Sequence, residues 1–280
     1  MAQPSDFVSW PSCGNLLQTV DAYQGAINRY DDLLSVQPDL YEIWTYRGYA
    51  LERLEQFQEA IANFDQALKV NPEHYPAWHG KGIVLAKLGR YEEAVSQLDR
   101  AVKLQSRDAK VWYNRGNALI HLQRYEEALT SFNRALEITP NNYKAWYHRS
   151  KALTHLGYLY AALASLDKAL QIKPSCHYAW NYQGMVLRKL GRLNQAIACF
   201  DQSLQVHPNN PDAWYNKARC YAIQGRSEMA LHYLYRALKL NPTLYRALAK
   251  IDADFSTLVF NPKFRSLIHH RQPPNPNQQS

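Results

Sequence analysis

The side chains that could assemble a catalytic or metal site are four cysteines, ten histidines and several adjacent acid pairs, and their spacing builds neither kind of site. Cys13, Cys176, Cys199 and Cys220 form no C-x-x-C pair and fit no zinc spacing, so they read as reduced thiols. The pairs Glu92-Glu93 and Glu126-Glu127 open helices, where a carboxylate complements the helix dipole rather than moving protons. The chain contains no G-x-x-x-x-G-K-[ST], no G-x-G-x-x-G, no H-E-x-x-H and no G-x-S-x-G. The reading is therefore of a protein that is not an enzyme and that uses no cofactor and no metal. What remains is binding chemistry, and the elements that position it come from a repeat.

All seven tryptophans fall on one series, at 10, 44, 78, 112, 146, 180 and 214, with a constant step of 34 residues. A fixed period of this size marks a stacked-repeat architecture. Prolines keep the step at 38, 72, 140, 174, 208 and 242, with Ser106 in the one gap. Small residues recur as Gly48, Gly82, Gly116, Ser150, Gly184 and Ala218, and alanines as Ala26, Ala60, Ala94, Ala128, Ala162, Ala196 and Ala230. A bulky column reads Tyr30, Phe64, Leu98, Phe132, Leu166, Phe200 and Leu234.

Each column has a physical task. Trp78, Gly82 and Leu85 lie at i, i+4 and i+7, one face of a helix, and Ala94, Leu98 and Ala101 repeat that spacing on a second. Leu88-Gly89-Arg90 breaks the chain between them, because glycine enters the left-handed region at helix ends. Pro72 ends the preceding helix. Gly82 and Ala94 let the two helices approach, while Trp78 and Leu98 fill the space that is left. Cys220 falls in a column of Ala50, Val84, Ala118, Ala152 and Val186, and is expected to be a small buried hydrophobe.

The length, the Trp–Gly–Leu spacing, the Gly-Arg-Tyr-Glu-Glu-Ala turn at 89–94 and the closing Asn-Pro resemble the tetratricopeptide repeat, in its bacterial form. The resemblance covers about residues 7–244 as seven repeats. It implies an all-α fold, a right-handed α-solenoid (superhelix) of antiparallel helix pairs. Residues 1–40 hold a degenerate first repeat, since Pro11 follows Trp10 and Asp21 replaces the turn glycine; its first helix is expected to begin near Pro11. Residues 41–244 hold six regular repeats. Residues 245–268 are expected to be capping helices, with Phe255, Leu258, Phe264 and Leu267 buried against the last repeat, and residues 269–280 a polar, proline-rich disordered tail. Incomplete cover of Leu16, Leu17 and Tyr23 would allow weak self-association; the oligomeric state is left open.

In this family the first helix of each pair lines the concave surface. The resemblance thus assigns a groove to Lys110, Tyr113, Asn114, Asn117, His121, Lys144, Tyr147, His148, Lys151, His155, Tyr178, Asn181 and Arg188, with His79, Tyr182, Tyr215, Asn216 and Arg219 on the same wall. Lysine and arginine attract carboxylates, asparagine can hold a peptide backbone with both donor and acceptor, and tyrosine gives contact area with a polar tip. The set suits an extended acidic or C-terminal peptide of another protein, and hence an interaction scaffold or assembly chaperone. A two-lysine, two-asparagine, one-arginine carboxylate clamp is matched only at Asn114 and Lys144; His79, Ile83 and His148 depart from it. The basic column Arg47, Lys81, Arg115, Arg149 and Lys217 is read as structural, with packed stems and solvated heads. His121 and His155, one repeat apart, are too far separated to share an ion.

The net charge is +8 and the pI about 9.2, so single-stranded RNA is the alternative ligand, stacking on tyrosines. Salt dependence separates the two readings, since RNA affinity falls steeply as salt rises. With a mean hydropathy of −0.49, no apolar run long enough to span a bilayer and no leader pattern at MAQPSDFVSW, a cytoplasmic protein is expected, either free or peripheral to a membrane complex.

Overall fold

The structure, a computed structural model, describes residues 16–269. The expected helix start near Pro11 and the tail beyond His269 lie outside the described residues. Among them every regular element is helical. Two compact units divide the chain, residues 1–139 and 140–280, and each is described by itself.

In the first unit a long helix, α1 (Leu16–Val36), precedes three helix pairs. These are α2 (Tyr41–Arg53) with α3 (Phe57–Val70), α4 (Tyr75–Lys87) with α5 (Tyr91–Leu104), and α6 (Ala109–His121) with α7 (Tyr125–Ile138). The degenerate repeat makes no turn at Asp21; α1 runs unbroken through it. Ile27 and Leu34 are buried, and Tyr23 and Tyr30 pack on the Phe64 core, so α1 acts as a second helix lacking its partner within the described residues. The side chains of Leu16 and Leu17 lie outside the description.

In the second unit α8 (Tyr143–His155) pairs with α9 (Leu159–Ile172), α10 (His177–Lys189) with α11 (Leu193–Val206), and α12 (Pro211–Ile223) with α13 (Ser227–Leu240). Then follow α14 (Pro242–Ile251), a 3-10 helix (Ala253–Leu258) and α15 (Pro262–His269). Phe255, Leu258 and Phe264 are fully buried on the last pair, with Tyr245 and Ile268 beside them. Each such side chain contributes roughly 1.5–3 kcal/mol relative to exposure. Leu267, expected inside, is half-buried, and Ile268 takes the inner position.

The repeat columns meet as their sizes require. Phe64, Leu98, Phe132, Leu166, Phe200 and Leu234 are all 0% exposed, as are the alanines facing them. A Cβ built on Gly116 would lie 2.7 Å from the Phe132 ring, which is why the small column admits no bulk. Each described tryptophan has a further task. Trp44, Trp78, Trp112, Trp146, Trp180 and Trp214 donate their indole N–H at 2.8–3.0 Å to the carbonyl of residue 38, 72, 106, 140, 174 or 208, six positions earlier. The proline and tryptophan columns thus share one hydrogen bond that fixes the entry to every first helix.

The turns inside the pairs pass through the left-handed region. Gly89 has φ of 76°, and the amides of Gly89 and Arg90 close on the carbonyls of Ala86 and Leu85. Glu55 and Gln123 take the same conformation at 59° without being glycine, at a cost of order 1 kcal/mol.

The basic column is structural but its heads are not merely solvated. Arg47, Lys81 and Arg115 reach Asp31, Asp65 and Asp99 on the preceding second helix at 2.8, 2.6 and 2.6 Å. In the second unit Lys217 and Gln183 reach Asp201 and Asp167 in the same way, at 2.5 and 2.6 Å. These sixteen-residue pairs tie one repeat to the next.

Candidate functional site

In the first unit α4 touches both α2 and α6, and in the second α10 touches α12. Their outward stripes carry the expected binding side chains. On α6, Lys110, Tyr113, Asn114, Asn117 and His121 follow i, i+3, i+4, i+7 and i+11, a single helical face. On α8, Lys144, Tyr147, His148, Lys151 and His155 repeat it.

In the first unit, Asn114, Asn117 and His121 line one cleft of about 270 Å³ with Ile83, Lys87 and Tyr91. The His121 ring stacks on Tyr91 with centroids 4.4 Å apart and planes within 1°. Asn117 Oδ1 is buried without a donor. Asn114 Nδ2 lies 2.8 Å from His79 Nε2. His79, expected on the exposed wall, is instead buried, and burial lowers its pKa to about 4, with Lys110 lowering it further and Asp108 opposing. The ring is therefore neutral near pH 7, and its Nε2 accepts from the Asn114 amide. Lys110 is set apart from this cleft, in a shallow hollow of about 310 Å³ beside Asp108 and Tyr75. Tyr113 is half-buried, its ring 6.2 Å from Phe132.

In the second unit this stripe is aromatic. Tyr147 meets Tyr178 at 4.8 Å and Tyr182 at 5.7 Å, both edge-on, and lies 5.1 Å from the His148 ring. Burial raises the Tyr147 phenol to about 12. The Tyr143 phenol is lowered by its hydrogen bonds to Lys173 and Tyr178, the Lys173 ammonium standing 4.7 Å over its ring. Lys144 and His155 are exposed and Lys151 half-buried; burial, then Lys189 and Lys151, keeps the His155 pKa low.

Two expected contributors stand elsewhere. Asn181 belongs to another cleft, of about 470 Å³, with Tyr215, Arg219 and α14. Arg188 is held by Asp254 at 2.6 Å. Tyr215 and Asn216, also expected on the wall, are buried. Missed from the sequence were Lys87 and Tyr91, because Tyr91 starts a second helix and Lys87 ends a first one. Also missed were Asp252 and Asp254, whose role needs the tail folded back on α12.

Cys176, Cys199 and Cys220 are buried and unbridged, and burial pushes the Cys199 and Cys220 thiols up to about 12. Among the described residues no group of three His, Cys, Asp or Glu converges as a metal site would require, and no helix is long and apolar enough to cross a membrane.

Among solved structures, the chain is similar to YrrB, a TPR protein with a peptide-binding site described as unusual. The two share 27% identity with a TM-score of 0.56, over 67% of this chain and 98% of that one. It resembles pilF of Pseudomonas aeruginosa at 17% identity and a TM-score of 0.63, over 85% and 98%. A MamA chain from Desulfovibrio magneticus RS-1 aligns at 19% identity and a TM-score of 0.57, over 60% and 96%. The last two likenesses show the fold. No curated protein matches. The sequence profile of the protein prenyltransferase alpha subunit repeat matches residues 159–190. That of the tetratricopeptide repeat matches residues 14–69, 47–103, 79–143 and 181–245, and with the helix pairs and the 34-residue period this places the chain in the tetratricopeptide repeat family.

Proposed function

We propose that the chain is a protein-interaction scaffold that binds an extended, acidic peptide segment along the outward stripes of its first helices. The observation that carries this reading is which cations are already committed. Arg47, Lys81, Arg115, Lys217, Arg188 and Arg219 are each paired with a carboxylate. Among the described residues no carboxylate pairs with Lys110, Lys144 or Lys151, which share their faces with Asn114, Asn117, Tyr147 and His148. Structural ion pairs thus commit these six cations, and Arg149 of the basic column donates to the Ser165 hydroxyl, while Lys144 and Lys151 share the outward stripe of α8 with Tyr147 and His148. An acidic segment would pair with these lysines at low desolvation cost.

The peptide-binding site reported for YrrB supports a peptide over other ligands. The edge-on packing of Tyr147 with Tyr178 and Tyr182 supports it too, since rings already engaged with one another offer a poor platform for stacked bases. An assembly-chaperone role is the finer form of the same reading, and a location in the cytoplasm, free or beside a membrane complex, accords with it.

The test is a pull-down from the native host with Lys110→Glu, Lys144→Glu and Lys151→Glu combined. The reading expects loss of acidic partners from the eluate, with melting unchanged. Unchanged recovery would defeat it, and a captured RNA whose binding collapses between low and moderate salt would replace it.

A further inference from the structure

Toward the end of the second unit, acids that follow α14 neutralise the arginines of the first-helix face. Arg188 Nη1 donates to Asp254 Oδ2 at 2.6 Å, and Arg219 Nε lies 2.9 Å from Asp252 Oδ2 and 2.8 Å from Asp254 Oδ2. Both acids flank the start of the 3-10 helix that buries Phe255 completely, so packing fixes the pairs in place. The Tyr215 phenol donates to Asp252 at 2.9 Å as well. Two arginines therefore pair with Asp252 and Asp254, and a third carboxylate, Asp212, lines the cleft with Asp252 and Arg219. Asp212 accepts from the Tyr245 phenol at 2.5 Å, and among the described residues no cation pairs with it.

Asp212 and Asp252 belong to the cleft of about 470 Å³ between α10, α12 and α14, where Arg219 is the one lining cation. The rest of that lining is Met185, Leu248 and Ile251, with Tyr215, Tyr245, Asn181 and Asn216. Met185 is half-buried, Leu248 is 36% exposed and Ile251 is 82% exposed. Leu248 and Ile251, three residues apart on α14, present this apolar surface on one helical face. Exposed aliphatic side chains grouped in a cleft mark a contact surface, whereas scattered ones do not. An acidic segment would meet an excess of carboxylate here, and a purely apolar one would desolvate Asp212 with no cation to pair it.

We infer that this cleft binds a peptide segment in which an arginine or lysine adjoins a large aliphatic side chain, the cation pairing with Asp212 and the aliphatic group covering Met185, Leu248 and Ile251. The site is distinct in residues and opposite in charge preference to the lysine-bearing faces of α6 and α8, and it does not rest on the acidic-peptide reading.

The experiment uses the full chain and two dye-labelled, amidated hexapeptides, Gly-Arg-Leu-Leu-Arg-Gly and Gly-Glu-Leu-Leu-Glu-Gly, with affinity read by fluorescence anisotropy at moderate salt. The variants are Asp212→Asn, which keeps an acceptor for Tyr245, and Ile251→Ser at an exposed position; thermal melting checks that both fold. The arginine peptide should bind at least about tenfold tighter than the glutamate peptide, and each variant should weaken it by about three- to tenfold. The double variant Lys144→Glu/Lys151→Glu should leave its affinity within about twofold, because those lysines lie outside the cleft. Equal binding of the two peptides, no binding of the arginine peptide up to about 1 mM, unchanged affinity in both cleft variants, or a gain in the lysine variant would each overturn the assignment.

Discussion

Protonating His79 should loosen the first unit, and the structure sets the size of the effect. Its side chain is 8% exposed, its pKa falls from 6.5 to about 4, and its Nε2 accepts from Asn114 only while the ring is neutral. The unfolded chain binds this proton near pH 6.5 and the folded chain does so only near pH 4, so the unfolded state holds more proton in between. Stability is therefore intact above pH 6.5, falls as the pH drops toward 4, and levels off below that. A displacement of this size amounts to about 3 kcal/mol in full, of which about 2 kcal/mol is lost by pH 5. His79→Gln keeps an acceptor for Asn114 and removes the titration. Urea unfolding at pH 7.5 and pH 5 should show wild type losing about 2 kcal/mol more than the variant, which cancels the carboxylates common to both. An NMR titration of the His79 ring should find it unprotonated at pH 5.5. A variant that loses as much as wild type, or a His79 ring that titrates near 6.5, would refute the reasoning.

Gly116→Ala places a methyl 2.7 Å from Phe132 and should cost about 1–3 kcal/mol in urea unfolding, despite alanine's better helix propensity. Gly25→Ala, with nothing within 4 Å and a helical setting in α1, should instead gain about 0.5–1 kcal/mol. Asp201→Asn leaves buried Lys217 without its counter-charge; because Asp201 is itself 44% exposed, the cost should be about 1–3 kcal/mol, read as a lowered melting temperature. Phe255→Ala opens a cavity in the cap, should cost about 3–5 kcal/mol, and should raise hydrogen exchange in α12 and α15 before the rest of the unit.

The fold was legible because every repeat states the same packing problem in the same letters. The small, alanine and phenylalanine or leucine columns lie in the core as their sizes demand, and the described tryptophans are half-buried. The first repeat was less legible: Asp21 marks a missing turn glycine, but only the structure shows that α1 continues straight through it. The site was legible in its faces and not in its charges. The family resemblance assigned Lys144, Tyr147 and Lys151 to one wall, and on α8 they lie at i, i+3 and i+7. It could not show that Arg188 and Arg219 are neutralised, since their partners Asp252 and Asp254 lie up to 66 residues away and return only when Phe255 is buried. Nor could it show His79 inside, because the periodicity that puts a residue at the edge of an outward stripe does not report what the next helix covers. The partners of Arg47, Lys81, Arg115 and Lys217 were written at a constant offset of sixteen residues, at Asp31, Asp65, Asp99 and Asp201.

The account stands or falls on where a partner touches the chain. A photo-crosslinking residue placed singly at Asn117 or Lys151 on first helices, and at Tyr158 or Tyr160 before and on α9, would report this in the native host. The prediction is that adducts form from Asn117 and Lys151, carry acidic peptides, and vanish when Lys144 is changed to Glu in the Lys151-labelled chain. Adducts that form from Tyr158 and Tyr160 while Asn117 and Lys151 stay silent would contradict it.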